Sequence, residues 1–144
     1  MNLSLNGKRA LICGSTQGIG FAIAKELALL GAECILMARN EAGLQTAITH
    51  LSQQHGQKHQ YLVADFSNTD IVRQVITEFT AVNVIHILIN NTGGPPAGLI
   101  EQAQANDFLS AFNLHLINNH TLATSVLPGM KKEGYGRIVN IIST

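Results

Sequence analysis

Five apolar runs, RALICG, CILMA, QYLVA, VIHILI and RIVNII, recur along the chain, each separated from the next by a segment patterned as a helix. That alternation is the strongest constraint on the fold. Runs so uniformly apolar suit strands covered on both faces, as in a parallel sheet with helices above and below. Helical patterns fall at 18–30, closed by Gly31, and at about 41–54, 70–80 and 106–127. This βαβα order predicts an open, doubly wound α/β sheet with right-handed crossovers. No repeat, linker or low-complexity segment divides the sequence, so residues 1–144 read as one domain.

Composition narrows the partners. Hydrophobic residues make up 46% of the 144 and charged residues 12%, enough for a core that removes roughly 68–70% of the extended surface from water. Nine basic side chains balance nine acidic ones, which argues against nucleic acid and anionic membranes as main partners, since both need a basic excess. VIHILI is too short to span a bilayer, and MNLSLNGK lacks the apolar core of a signal peptide; a soluble, cytoplasmic protein is expected. Cys13 and Cys34 lie within apolar runs and read as small buried hydrophobes. His50, His55 and His59 lie close in sequence. No two share a helix face at i, i+4 unless the helix passes Gly56, so they read as a solvated helix end and no metal site is expected.

The join between the first strand and first helix, LICGSTQGIGFAIAKELA, is the most informative stretch. Gly14, Gly18 and Gly20 follow G-x-x-x-G-x-G: the first for a tight turn, the second for close approach of a pyrophosphate, the third for packing of helix on strand. The helix N-terminus would offer free N–H groups and partial positive charge to the phosphate. No Lys-Ser/Thr follows the last glycine, which excludes a P-loop. Three glycines alone could mark a plain turn. Their place after a first strand and before a first helix points to dinucleotide binding.

The G-x-x-x-G-x-G spacing resembles the short-chain dehydrogenase/reductase family. LVADFS, ILINNTG and SVLPGMKKEGYGRIVNIIST, in that order, resemble its third-strand motif, its Asn-Asn-Ala-Gly signature with Thr92 for Ala, and the end of its long helix with its fifth strand. NNTGGPP is similar, more loosely, to a divergent branch grouped with 3-oxoacyl-acyl-carrier-protein reductases; as a bare connector, the Gly-Gly-Pro-Pro run would simply be stiff. The resemblance implies a Rossmann-type sheet with five strands in the order 3-2-1-4-5, incomplete at the C-terminus. It implies cofactor contacts at Gly14, Ser15, Gln17, Gly18, Ile19 and Gly20, then at Arg39, at Asp65 and Phe66, and at Asn91, Thr92 and Gly93.

The second strand ends in Met37-Ala38-Arg39-Asn40, with no acid placed for a ribose 2′-OH; Glu33 stands at the strand's other end. Arg39 could pair with a 2′-phosphate, which favours NADP(H) over NAD, although Gln17 stands where many NADP-using relatives carry a second basic residue. An exposed Arg opening a helix is the plain alternative.

The resemblance further implies hydride transfer to or from a small carbonyl or alcohol substrate, with a Tyr acid/base, a Lys four residues on, a Ser and a helix Asn. Seven residues past Gly136, Ser143 falls on the serine. Tyr61 and Tyr135 are the only tyrosines, and the residues four further on are Asp65 and Val139, so neither matches the Tyr-Lys pair. The helix asparagine falls on His115; Asn113, two residues away, would be turned by roughly 200° on a regular helix. His115 either substitutes in part for the asparagine or packs in the helix.

Positioned acid–base groups contribute about 10²–10⁴-fold, so these residues alone should turn over close to background. Doubly wound dehydrogenases commonly run about 200–250 residues as one domain, and the fifth strand is expected to be a poorly covered edge. Three readings follow: an NADP(H)-dependent reductase cut before its Tyr and Lys, a cofactor-binding pseudoenzyme, or an interaction module using the bare edge. A homo-oligomer would form through the long helix from Asn106.

Overall fold

The computed structural model describes residues 3–94 and 98–142. Each apolar run becomes a strand: β1 (Arg9–Cys13), β2 (Glu33–Ala38), β3 (Gln60–Val63), β4 (Ile87–Asn90) and β5 (Arg137–Asn140). All neighbours pair in parallel, in the order β3-β2-β1-β4-β5. The helices are α1 (Gly18–Leu29), α2 (Glu41–Thr49), α3 (Thr69–Thr80), α4 (Ala105–Phe112) and α5 (Asn118–Glu133). A short 3₁₀ turn (Ile100–Gln102) precedes α4, and a π turn (Asn113–Ile117) joins α4 to α5.

Strand side chains alternate between faces, and so one sheet builds two cores. Leu11, Ile35, Met37 and Leu88 meet Val72 and Ile76 of α3 and Leu122 and Val126 of α5. On the opposite face, Ile12, Leu36 and Ile89 meet Ala24 and Ala28 of α1 and Leu44 of α2. The buried face of α1 is Gly20, Ala24 and Ala28, an i, i+4 row of small residues that lets the helix axis lie close to the sheet. Cys13 and Cys34 are fully buried in these cores, and burial pushes both thiols up to about 12.

Two helices differ in extent from their sequence pattern. α2 stops at Thr49 rather than near residue 54, because the chain turns to bury Leu51. His59 is consequently no solvated helix end. Its Nδ1 accepts the N–H of Cys34 at 3.0 Å while Nε2 faces the carbonyl of Ser52 at 2.8 Å, so the ring straps the start of β2. The long helix passes Leu127 and continues through Pro128 to Glu133, ending at Gly134 in the left-handed region (φ 63°). Pro128 and Thr124, whose carbonyl the proline leaves without its helical donor, are both exposed, so water can satisfy that carbonyl.

β5 departs from the buried pattern of the inner strands. All four of its residues are exposed, with Ile138 at 38% and Val139 at 43%, and it forms one edge of the sheet among the described residues. No helix of the described residues is long and apolar enough to cross a membrane.

Candidate functional site

β1 pairs with β2 on one side and with β4 on the other, so the chain reverses its winding at β1. In open α/β sheets that reversal leaves a crevice at the carboxyl ends of the strands. The glycine turn and the residues after β4 both end there. Gly14 has φ 57°, and a Cβ on it would collide with the backbone carbonyl oxygen of Asn91. Asn91 Nδ2 in turn donates to the carbonyls of Gly14 (3.2 Å) and Cys13 (3.4 Å), fastening β4 to the turn. Only glycine fits, on two independent grounds.

Gly18 is different in kind. Its φ is 58°, yet a Cβ there would meet nothing within 4 Å. The turn is open on that side, at the first residue of α1, where no side chain caps the helix and no acid occupies the first turn. A cradle with open space above it and uncapped N–H groups beneath fits an anionic bridging group such as a pyrophosphate. Gly20 fills the third role, since a Cβ there would strike the Gly14 carbonyl.

The other positions expected to contact a cofactor divide by how their side chains are used. Ser15 is buried and its Oγ accepts the N–H of Met37 at 3.2 Å, so its side chain ties the turn to β2. Gln17 and Ile19 are exposed on the turn. Arg39 is exposed at the end of β2 and takes part in neither of the two ion pairs found among the described residues. Glu33, at the opposite end of β2, is held by Arg9 at 3.0 Å. Asp65 follows β3; hydrogen bonds from Ser67 hold its carboxyl below the usual range, with the charge of Arg39 a smaller cause. The Phe66 ring is buried, and its carbonyl accepts from Asn118 Nδ2 at 2.6 Å. Gly93 is exposed. Ser143 and the two prolines of the Gly-Gly-Pro-Pro run lie outside the described residues.

Beside the turn opens a cleft of about 800 Å³, lined by Asn91, Thr92, His115, Asn119 and Asn140 among others. His115 faces this cleft, whereas Asn113 is exposed and does not line it. His115 Nδ1 lies 3.1 Å from the hydroxyl of Thr92. Asn90 Nδ2 donates to Asn140 Oδ1 at 2.8 Å, joining the ends of β4 and β5. The Oδ1 atoms of Asn90, Asn118 and Asn119 are buried with no partner among the described residues.

Neither tyrosine reaches the cleft. Tyr61 lies on β3 and donates to Glu41 Oε1 at 3.0 Å. Tyr135 precedes β5, between Lys8 (4.4 Å from the ring centroid) and Arg137 (4.8 Å), at the amino ends of the strands. The Thr92–His115 pair and the Asn118 staple escaped the sequence reading. Thr92 and His115 had each stood out as a departure from a resembled motif, but no spacing rule joins residues 23 apart.

Comparison with known proteins decides the family. A sequence profile described as short chain dehydrogenase matches residues 8–144. The chain belongs to the short-chain dehydrogenase family. A 3-oxoacyl-acyl-carrier-protein reductase of Chlamydia trachomatis is 31% identical over 140 residues, covering 96% of this chain and 56% of the relative. The D-beta-hydroxybutyrate dehydrogenase of Cupriavidus necator is 35% identical over 144 residues, covering 97% and 54% respectively. Among solved structures, the L-sorbose reductase of Gluconobacter frateurii, complexed with NADPH and L-sorbose, superposes with a TM-score of 0.88 at 30% identity over 97% of this chain and 54% of that one. The chain thus spans about half the length of the short-chain dehydrogenases it matches. Its parallel sheet in the order 3-2-1-4-5 is a Rossmann-type α/β fold.

Proposed function

We propose that this short-chain dehydrogenase domain holds NADP(H) for a reductase or dehydrogenase acting on a small carbonyl or alcohol. The observation that carries the reading is the glycine turn at the winding reversal, closed beneath by Asn91 and open above Gly18. NADP(H) rather than NAD is supported by Arg39, exposed at the end of β2 and outside any ion pair among the described residues. Bound nicotinamide would supply or take the hydride. A 3-oxoacyl thioester is the substrate class supported by the NNTGGPP stretch and by the acyl-carrier-protein reductases among the relatives. Ser143 and His115 are assigned to the reacting oxygen and to the proton relay on the family pattern.

A second reading, cofactor binding without turnover, is favoured by the placement of Tyr61 and Tyr135 away from the cleft. Residues 1–144 then bind NADPH but reduce a carbonyl at close to background rate. Two assays on one preparation separate the readings: NADPH affinity, and oxidation of NADPH on adding an acetoacetyl thioester. Arg39→Ala should weaken NADPH by about 10–100-fold, the worth of a charge-assisted hydrogen bond, and leave NADH unchanged. Equal weakening of both nucleotides would remove the basis for NADP(H). The exposed Phe108, Leu109 and Phe112 of α4 support a homo-oligomer through the long helix, which sedimentation at graded concentrations would reveal.

A further inference from the structure

Four residues at i, i+4 spacing, Ala111, His115, Asn119 and Ala123, line the cleft from the long helix. On a regular α-helix such a row drifts by about 40° at each step, and the three steps from Ala111 to Ala123 would carry it roughly 120° around the helix, out of the cleft. The π turn at Asn113–Ile117 interrupts that drift, because its i→i+5 bonding takes more residues per turn. His115 is the middle residue of this turn. The wider turn therefore places an imidazole in the cleft, and the hydroxyl of Thr92, from the loop after β4, meets its Nδ1.

We propose that Thr92 is a positioning residue that holds the His115 ring by Nδ1, so that Nε2 is the proton-exchanging atom of the cleft. This deepens the oxidoreductase reading and rests on it. The chemistry of the two residues supports the assignment. A hydroxyl donates to a bare ring nitrogen and accepts from a protonated one, so the Thr92 contact survives both charge states and the ring keeps its orientation while a proton comes and goes. Nε2 has no hydrogen-bond partner among the described residues, and the described cleft lining contains no Asp, Glu, Lys or Arg. His120 is the other titratable group there; it is exposed and has no such tether.

In the reducing direction the imidazolium gives its Nε2 proton to a cleft water, which passes one of its own protons to the carbonyl oxygen of the substrate; the hydride that completes the reduction would come from bound NADPH. The ring is left neutral, with Nδ1–H on Thr92 Oγ1, and solvent returns the proton to Nε2. An asparagine at this helix position could hold a water but could not carry the proton itself.

The test uses the protein as its complete gene encodes it, with Thr92→Val to remove the hydroxyl at constant shape and Thr92→Ser to keep it. In ¹⁵N–¹H correlation spectra of the ring, the His115 Nδ1 resonance should move in the valine variant and return in the serine variant. An Nδ1 resonance identical in wild type and T92V overturns the pairing. In NADPH-dependent carbonyl reduction, T92V should lower kcat by about three- to tenfold, the worth of one hydrogen bond, with KM unchanged and T92S restored. Unchanged kcat, or a KM that rises in its place, overturns the positioning role. Absence of turnover in the wild type would instead sink the oxidoreductase reading, while the ring spectra still decide whether Thr92 holds His115.

Discussion

The glycine turn after β1 and the stretch from α4 to β5 both contribute to the cleft at the carboxyl ends of the strands, yet they are finished to different degrees. At the turn, Gly14, Gly20, Ser15 and Asn91 each have a partner or a neighbour that forbids change. Along the second stretch, Phe108, Leu109, Phe112 and Leu116 are each more than half exposed, and no residue of α4 is buried. β5 is exposed to a lesser degree, with Ile138 at 38% and Val139 at 43%, and Asn119 Oδ1 is buried without a partner among the described residues. The glycine turn is closed by contacts within the described residues, whereas α4 and β5 leave apolar side chains exposed.

That contrast predicts a graded response to substitution. Leu122→Ala should be the most costly change, since this side chain is fully buried between α5 and the sheet; the expected loss is about 2–5 kcal/mol in urea unfolding. A loss below about 1 kcal/mol would mean that α5 is not docked as described. Gly14→Ala should come next. A left-handed conformation costs an L-residue roughly 1–2 kcal/mol, and the Asn91 carbonyl adds a collision; nucleotide binding should disappear with it, as read by fluorescence titration. Retained binding would show that the turn can be rebuilt without glycine.

A pH effect of intermediate size should come from the other end of the sheet. His86 is buried, its Nδ1 accepts the N–H of Arg9 at 3.0 Å, and burial, followed by the charges of Lys8 and Arg9, holds its pKa below the ordinary 6.5 against the opposing charge of Glu133. The unfolded ring therefore binds a proton before the folded one does. Stability from this residue is full above pH 6.5 and is lost as the pH falls through the lowered value. Asp65, also lowered, responds only in the carboxylate range below its ordinary 3.8, so the two windows separate. In His86→Asn, which keeps an acceptor for Arg9, the decline below pH 6.5 should flatten; an unchanged slope would assign it elsewhere. The smallest effect should be that of Phe108→Ala, within about 0.5 kcal/mol for the isolated chain. A larger loss would mean the α4 face is already covered, by a second copy or otherwise.

Much of this architecture was legible in the sequence because it follows from periodicity. Alternating apolar runs and helical stripes placed all five strands, and the spacing of Gly14, Gly18 and Gly20 located the turn between β1 and α1. The position of Glu33 in the run sets it at the far end of β2 from Arg39, and it stands there against Arg9. What stayed hidden depends on angles between elements. The π turn is a change of helical pitch that composition does not announce, and the Thr92–His115 bond joins a loop to a helix across 23 residues. His59 and His86 were hidden for a related reason: each imidazole extends the sheet by accepting a strand N–H, from Cys34 and Arg9, a role that short-range spacing cannot encode. The early stop of α2 reflects the burial of Leu51, a tertiary demand that overrides the helical pattern beyond it.

The central claim is that the rim between β1 and β4 receives the phosphates of a nicotinamide dinucleotide. The most direct measurement is a titration of the ¹⁵N-labelled chain with NADPH, followed at every backbone amide. The account predicts saturable 1:1 binding, with the largest shifts at Gly14, Gly18, Ile19 and Gly20 and smaller ones at Arg39, Asp65 and Thr92. Shifts confined to other faces of the sheet, or no saturable shifts at all, would contradict it.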